Sequence, residues 1–383
     1  MPEGPKSSNS PGGRPHQVTL HTIAEKAGVH KSTVSLALRN HPRIPAQTCQ
    51  RIKQLANELG YRPNPYVMAV MSHMRAGRKP AFQGTIGFIH TYTVQDDLRN
   101  KFYTRFYVRG ARKRADQLGF KLVEFDLQDK KHTPRQLRRM LLARNILILI
   151  IYHHPTTGIP GHQLPMDLDA FSVVSIGTRL ENPDFNYVAS DAFHSSTLAV
   201  TRAIELGYRR IGMAISGYVD FETGYRYSGG YYSALETYGI RPEIPVCFIE
   251  SEDFNEIKPW MKKHKPEIIL GLNDEVPQAA SELGWDIPSD IGWIHLDWGP
   301  GLNEWAAIDS CHEAIGESAV DVAVAQFNRN DRGPPAIPKS SLVAGQWMEG
   351  SSVMRQKGKR PLQPRYKPLK PSTVHPGQRV ALS

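Results

Sequence analysis

The sequence predicts an all-α helix-turn-helix headpiece with a hinge helix at the N-terminal end, followed by an α/β core of two doubly wound lobes. Three observations carry this. Short amphipathic segments joined by tight turns fill residues 18–62. From residue 82 to residue 350, brief apolar runs alternate with amphipathic stretches. Charge is divided between the two parts: of the formal net +10 on 383 residues, residues 1–79 carry +9, residues 80–350 carry −7, and residues 351–383 carry +8 with no acid. A basic end on an acidic body is expected where one part meets a polyanion and the rest does something else.

Leu20, Ile23, Ala24 and Ala27 follow a helical spacing, with Thr19 placed to cap the first turn. Gly28 breaks the pattern, as a glycine closing a helix in the left-handed conformation does. A second helix begins near His30, with Val34, Ala37 and Leu38 inward and Lys31, Ser32, Ser35 and Arg39 outward. Pro45 suits the first turn of a third helix, whose stripe is Ile52, Leu55, Ala56 and Leu59 and whose end is Gly60. A small three-helix unit of this kind, with 11 Lys/Arg against 2 Asp/Glu between Arg14 and Lys79, suits a helix laid in the major groove. Residues 1–17 read as a disordered extension.

The run VTLHTIAEKAGVHKSTVSLALRN, continued by RIPAQTCQRIKQLANELGYRPNP, resembles the DNA-binding headpiece of the lactose-repressor/galactose-repressor family of transcriptional regulators. The resemblance implies that Lys31 and Ser32 reach base edges and that Thr19, Thr33 and Ser35 contact phosphate. His30 stands where the family has a capping Ser and is expected to cap less well. Leu36 replaces a polar base reader and can offer only apolar contact; Arg39 replaces an Asn. The stretch YRPNPYVMAVMSHMR resembles the family's hinge, which places a hinge helix and linker over residues 63–81. Val67, Val70, Met71 and Met74 keep helical spacing in a stretch too short to be stable alone. In the family this segment orders on the operator and drives an apolar wedge into the minor groove, which here assigns DNA contacts to Val67, Val70 and Met71, with Val70 where Leu is usual.

In the core, residues 85–90, 121–125, 146–152, 172–176, 210–215, 267–270 and 292–296 read as buried strands, and residues 107–118, 196–206 and 230–238 as helices between them. Such alternation means parallel sheets with right-handed crossovers. The family likeness continues, more loosely, to about residue 350 and implies a core resembling periplasmic sugar-binding proteins, with ligand held at the carboxyl ends of the strands. The first lobe then takes residues 82–190 and 311–341, the second 191–310 and 342–350. By that likeness the effector is held by Asp191, Arg226, Asp274 and Asp297, able to fork onto hydroxyl pairs, and by Phe102 and Tyr103 in the loop after the first strand. A carbohydrate is the favoured effector, a nucleobase the alternative. The implied protein is a homodimeric repressor on a pseudo-palindromic double-stranded operator; an activator role and a transport-type binding protein are the alternatives.

No apolar run reaches the roughly 18–20 residues of a membrane span, and no apolar signal stretch opens the chain, so a cytoplasmic protein without a membrane partner is expected. Cys49, Cys247 and Cys311 are far apart, without CxxC spacing. There is no Gly-rich phosphate loop, HExxH or GxSxG; the pair His153–His154 has no matching acidic cluster, and Cys311 with His312 is a pair of sequence neighbours, not a spatial dyad. No catalysis, cofactor or metal is expected. Residues 351–383, basic and proline-rich, read as a disordered tail.

Overall fold

The computed structural model describes residues 19–38, 44–61, 82–90, 98–127, 132–152, 166–177, 184–250, 254–272, 274–299 and 304–365. The expectations for the extension of residues 1–17, for Arg39 and for the hinge residues Val67, Val70 and Met71 lie outside them. Backbone contacts divide the chain into a unit of Met1–Ala81 with Asn328–Asn330 and a unit of Phe82–Phe327 with Asp331–Ser383.

The first unit holds helices α1 (Leu20–Ala27), α2 (Lys31–Leu38) and α3 (Ala46–Glu58). Thr19 and Thr22 form a reciprocal capping box at the start of α1, and Gly28 closes it at φ 65°. Ile23, Val34, Ala37 and Ile52 meet in a fully buried core, flanked by Ala24, Cys49 and Ala56. Arg51 of α3 donates to the carbonyl of Ala27 at 3.2 Å, which satisfies one open acceptor at the end of α1. Pro45 sits at the N-cap of α3, one residue before the expected first turn.

The second unit holds two six-stranded sheets. The first uses β1 (Gly84–His90), β2 (Phe120–Asp126), β3 (Ile148–Tyr152), β4 (Ser172–Ile176), β5 (Asn186–Ser190) and β11 (Ser340–Val343), in the order β11-β5-β4-β3-β1-β2. The second uses β6 (Ile211–Ser216), β7 (Cys247–Ile249), β8 (Ile268–Gly271), β9 (Gly292–His295), β10 (Ala307–Asp309) and β12 (Gln346–Met348), in the order β12-β10-β9-β8-β6-β7. Pairing is parallel except between β10 and β12.

Both faces of each sheet are covered, which is why the strands are continuous apolar runs. In β3, Ile148 and Ile150 join one core and Leu149 and Ile151 the opposite one. In β8, Ile268 and Leu270 face one way and Ile269 the other. Helices α4 (Leu98–Leu118) and α11 (His312–Arg329) lie on one face of the first sheet and α5 (Pro134–Ala143) on the other. On the second sheet, α6 (Ala192–Glu205) and α8 (Arg226–Thr237) share a face. Helices α9 (Ile257–His264) and α10 (Glu275–Glu282) take the opposite face. A short α7 (Gly217–Glu222) follows β6. The chain passes between sheets three times, after β5, after β10 and between β11 and β12, and the N–H of Asp191 donates to the carbonyl of Val343 at 2.8 Å where two passages run side by side.

The tail expectation fails for residues 351–365. Ser352 is buried, its hydroxyl donating to the carbonyl of Trp293 (2.7 Å) and accepting from the N–H of Ala306 (2.8 Å). Farther on, the N–H of Gln356 donates to Leu206 (2.7 Å), Lys359 pairs with Glu267, Leu362 packs on the second-sheet core, and Arg365 pairs with Glu236 at 2.6 Å. The basic residues expected to stay in solvent here neutralise acids of the core.

Helices α4 and α11 cross backbone to backbone. A Cβ at Gly110 would lie 2.0 Å from the carbonyl oxygen of Glu313, and one at Gly316 would lie 2.1 Å from that of Tyr107. Gly110→Ala sets a helix-propensity gain of about 1 kcal/mol against overlap with an atom that cannot rotate away, typically costing about 1–3 kcal/mol. The overlap wins, and a urea midpoint lowered at unchanged slope is the expected result.

Candidate functional site

Two sites emerge, one in each unit. In the headpiece, α2 buries Val34 and Ala37 and turns Lys31 and Ser32 fully outward, with Thr33, Ser35 and Leu36 half-exposed. Lys31 with Ser35 and Ser32 with Leu36 are four residues apart, so these four line one face of the helix. Helix α2 has no acidic residue in its first turn, which leaves that end without like-charge repulsion toward an anion. Thr19 is exposed, its hydroxyl already bound to the N–H of Thr22 at 3.3 Å. His30 precedes the helix and meets its first turn through the ring. Its Nδ1 accepts the N–H of Ser32 at 3.3 Å while its carbonyl accepts from Thr33 and Val34, so the imidazole takes over the work of the capping hydroxyl.

In the core, the carboxyl ends of both sheets contribute to one network. Asp297 leaves β9 of the second sheet, and its Oδ1 lies 2.9 Å from Nε2 of His312, the first residue of α11, which packs on the first sheet. The other ring nitrogen of His312 lies 3.1 Å from the hydroxyl of Tyr107 on α4. Tyr103, one turn earlier on α4, places its ring 4.6 Å from the imidazole of His312. Carboxylate, imidazole and phenol are all largely buried, so the chain runs from one half of the core into the other away from bulk water. The N–H of Asp297 donates to Nδ1 of His295 at 3.1 Å, which leaves Nε2–H of that ring for the carbonyl of Leu272 at 3.0 Å.

Burial alone would raise the carboxyl pKa of Asp297, yet the charge and hydrogen bond of His312 hold it below its ordinary value. Burial would lower that of His312, yet Asp297 raises it. Burial also pushes the phenols of Tyr107 and Tyr227 well up, with Asp297 adding to both, so they stay protonated donors.

Of the other expected effector residues, Asp191 is the N-cap of α6, accepting from the N–H of His194 at 3.1 Å. Asp274 begins α10, with Oδ1 3.9 Å from Nε2 of His295. Arg226 is the first residue of α8, following Tyr225 at φ 58°; the helix starts four residues before the expected Gly230. Phe102 and Tyr103 lie within α4, not in a loop; the side chain of Phe102 is outside the described residues. The structure thus brings Tyr103 and Asp297 to one network and gives Asp191 a helix-capping bond. His312 and Tyr107 were missed. Their only sequence signal is a histidine opening an amphipathic stretch and a tyrosine on the inner stripe of another, 205 positions apart.

Linkage fixes the pH dependence of the pair. The raised pKa of His312 contributes stability that is whole below the ordinary 6.5 and is lost as pH rises through the raised value. The lowered one of Asp297 contributes stability that is whole above the ordinary 3.8 and is lost as pH falls through the lowered value. The contribution is therefore full between about pH 4 and 6.5. His312→Gln should cost about 3 kcal/mol at pH 6, as for a buried charge left without its partner. Melting temperatures from pH 5 to 9 should show the gap to wild type narrowing as pH rises.

The family profile described as "Bacterial regulatory proteins, lacI family" matches residues 19–64. The HTH-type transcriptional regulator DegA of Bacillus subtilis (strain 168) is 24% identical over 297 residues, 73% of this chain and 82% of that protein. Among solved structures, the complex of the transcriptional regulator CelR with cellobiose shares the fold over 88% of this chain and 99% of that one, with TM-score 0.55 and 18% identity. The lac repressor dimer bound to operator and the anti-inducer ONPF does so over 88% and 99%, with TM-score 0.51 and 19% identity. The lacI-family profile thus falls on the headpiece, and the similarity to transcriptional regulators such as DegA runs on through the core.

Proposed function

We propose that the chain is a sequence-specific repressor whose affinity for its operator is set by a small effector held between the two sheets of the core. The observation that carries the DNA half is the capped α2, with Lys31, Ser32, Ser35 and Leu36 on one open face of a basic headpiece. Lys31 donates to guanine O6 or N7, Leu36 meets a thymine methyl, and Thr19, Thr33 and Ser35 fix the register on phosphates. Two chains present two headpieces to a pseudo-palindrome, as the dyad of a homodimer requires. Val67, Val70, Met71 and Arg39 complete the DNA contacts in this reading.

The effector half rests on the buried network. Asp297 after β9 and His312 at the start of α11, against the ring of Tyr103 on α4, with Asp274 and Arg226 at the starts of α10 and α8, supply carboxylates, an imidazole, a guanidinium and an aromatic ring. That set suits a polyhydroxylated ring, its hydroxyls to the charged groups and its apolar face to an aromatic. The CelR structure holds cellobiose, and a carbohydrate is the effector proposed here, acting in the cytoplasm. It shifts the balance between core arrangements only by as much as it prefers one of them.

Fluorescence anisotropy of the whole chain on a promoter fragment, at two salt concentrations, tests the DNA half. Lys31→Ala should weaken operator binding about 10–100-fold while binding to unrelated DNA changes far less, since a base contact is worth about 1–3 kcal/mol. Equal losses on both DNAs would remove Lys31 from base reading. A thermal-shift screen of sugars against the whole chain tests the effector half: a melting point raised with concentration by one sugar class is expected.

A further inference from the structure

His30 and Ser32 share more than a helix cap. The N–H of Ser32 lies 3.3 Å from Nδ1 of His30, and its Oγ lies 2.7 Å from the same nitrogen. A backbone N–H can only donate, so Nδ1 presents a lone pair toward Ser32 and carries no proton. The 2.7 Å contact then has one polarity: the hydroxyl donates and the ring accepts. A serine hydroxyl has a single hydrogen and two lone pairs. With the hydrogen directed at His30, only lone pairs remain to turn outward from the exposed first turn of α2.

We propose that His30 is a positioning residue that fixes Ser32 as a hydrogen-bond acceptor toward DNA, so that the base it meets in each half-site is adenine or cytosine. In the major groove those two bases offer an exocyclic amine, N6–H2 or N4–H2, whereas guanine and thymine offer only acceptors there. Lys31, beside it, is a pure donor. The first turn of α2 therefore presents two neighbouring side chains of opposite hydrogen-bond sense, Lys31 toward acceptors such as guanine O6 and N7 and Ser32 toward an exocyclic amine. A serine or threonine cap at position 30 would leave this polarity open, because a cap hydroxyl can donate to Ser32 as well as accept from it. The inference rests on α2 being the helix that enters the groove.

The test is in vitro selection from DNA with randomised half-sites, using the whole chain as wild type, Ser32→Ala, His30→Ala and His30→Asn. One half-site position should lose its preference in Ser32→Ala alone, and wild type should favour adenine or cytosine there by about fivefold, the equivalent of one hydrogen bond of about 1 kcal/mol. His30→Ala should admit guanine or thymine at that position, since the freed hydroxyl can donate. His30→Asn, whose side-chain oxygen accepts as the imidazole does, should restore the amine preference, a rescue that helix stability alone does not predict for one base position. If His30→Ala does not fold, the wild-type and Ser32→Ala comparison decides by itself. Guanine or thymine at the Ser32-dependent position overturns the proposal and leaves the DNA-binding reading standing; so does the absence of any such position, or a preference unchanged in folded His30→Ala. If wild type enriches no site at all, both fall.

Discussion

The bond between Asp297 and His312 joins two halves of a core that otherwise fold around separate sheets. A carboxylate and an imidazole withdrawn from water each carry a desolvation cost, and each does most to offset the other's. Asp297 follows β9 of one sheet and His312 opens the helix that packs on the other, so the cost is met only when the two halves meet. Tyr107 completes the arrangement from α4, itself pressed against α11 through Gly110 and Gly316. These directional bonds link the posture of one half to that of the other. That is the physical basis on which an effector placed at Asp297 could act at a distance.

The headpiece shows how little sequence is needed to build a reading face. Eight residues of α2 divide cleanly, Val34 and Ala37 inward, Lys31 and Ser32 outward, and the hydrogen bonding of the first turn is settled by one side chain before it. Substituting histidine for a hydroxyl at that place does not forfeit the cap. It changes which atoms of the neighbour remain available.

Much of the fold was legible in the residue pattern, for a physical reason. Strands covered on both faces are apolar throughout, so 148–152, 172–176, 211–216 and 268–271 announce themselves. Edge and crossing strands do not: Asn186–Ser190, Ser340–Val343 and Gln346–Met348 are short, polar and held by neighbours distant in sequence. Helix α11 was hidden because its buried stripe mixes Ile315, Val320 and Val324 with small residues and with the polar His312 and Gln326. Residues 351–365 look like a solvated tail in composition, since their basic groups find acids fixed by the fold: Glu236 and Glu267. The site follows the same logic. Lys31 and Ser32 sit in a short motif and could be placed by pattern, whereas the partner of Asp297 depends on a crossing of the chain that no local spacing encodes.

In the mechanism proposed, the network at Asp297 is coupled to DNA affinity without touching DNA. Operator affinity of the whole chain as a function of salt, compared between wild type and Asp297→Asn, separates the two. Phosphate contacts set the slope of affinity against salt, and the coupling sets its height. Coupling predicts an unchanged slope and an affinity displaced by about fivefold or more, the lower range for linked sites; superimposable lines from a folded variant would contradict it.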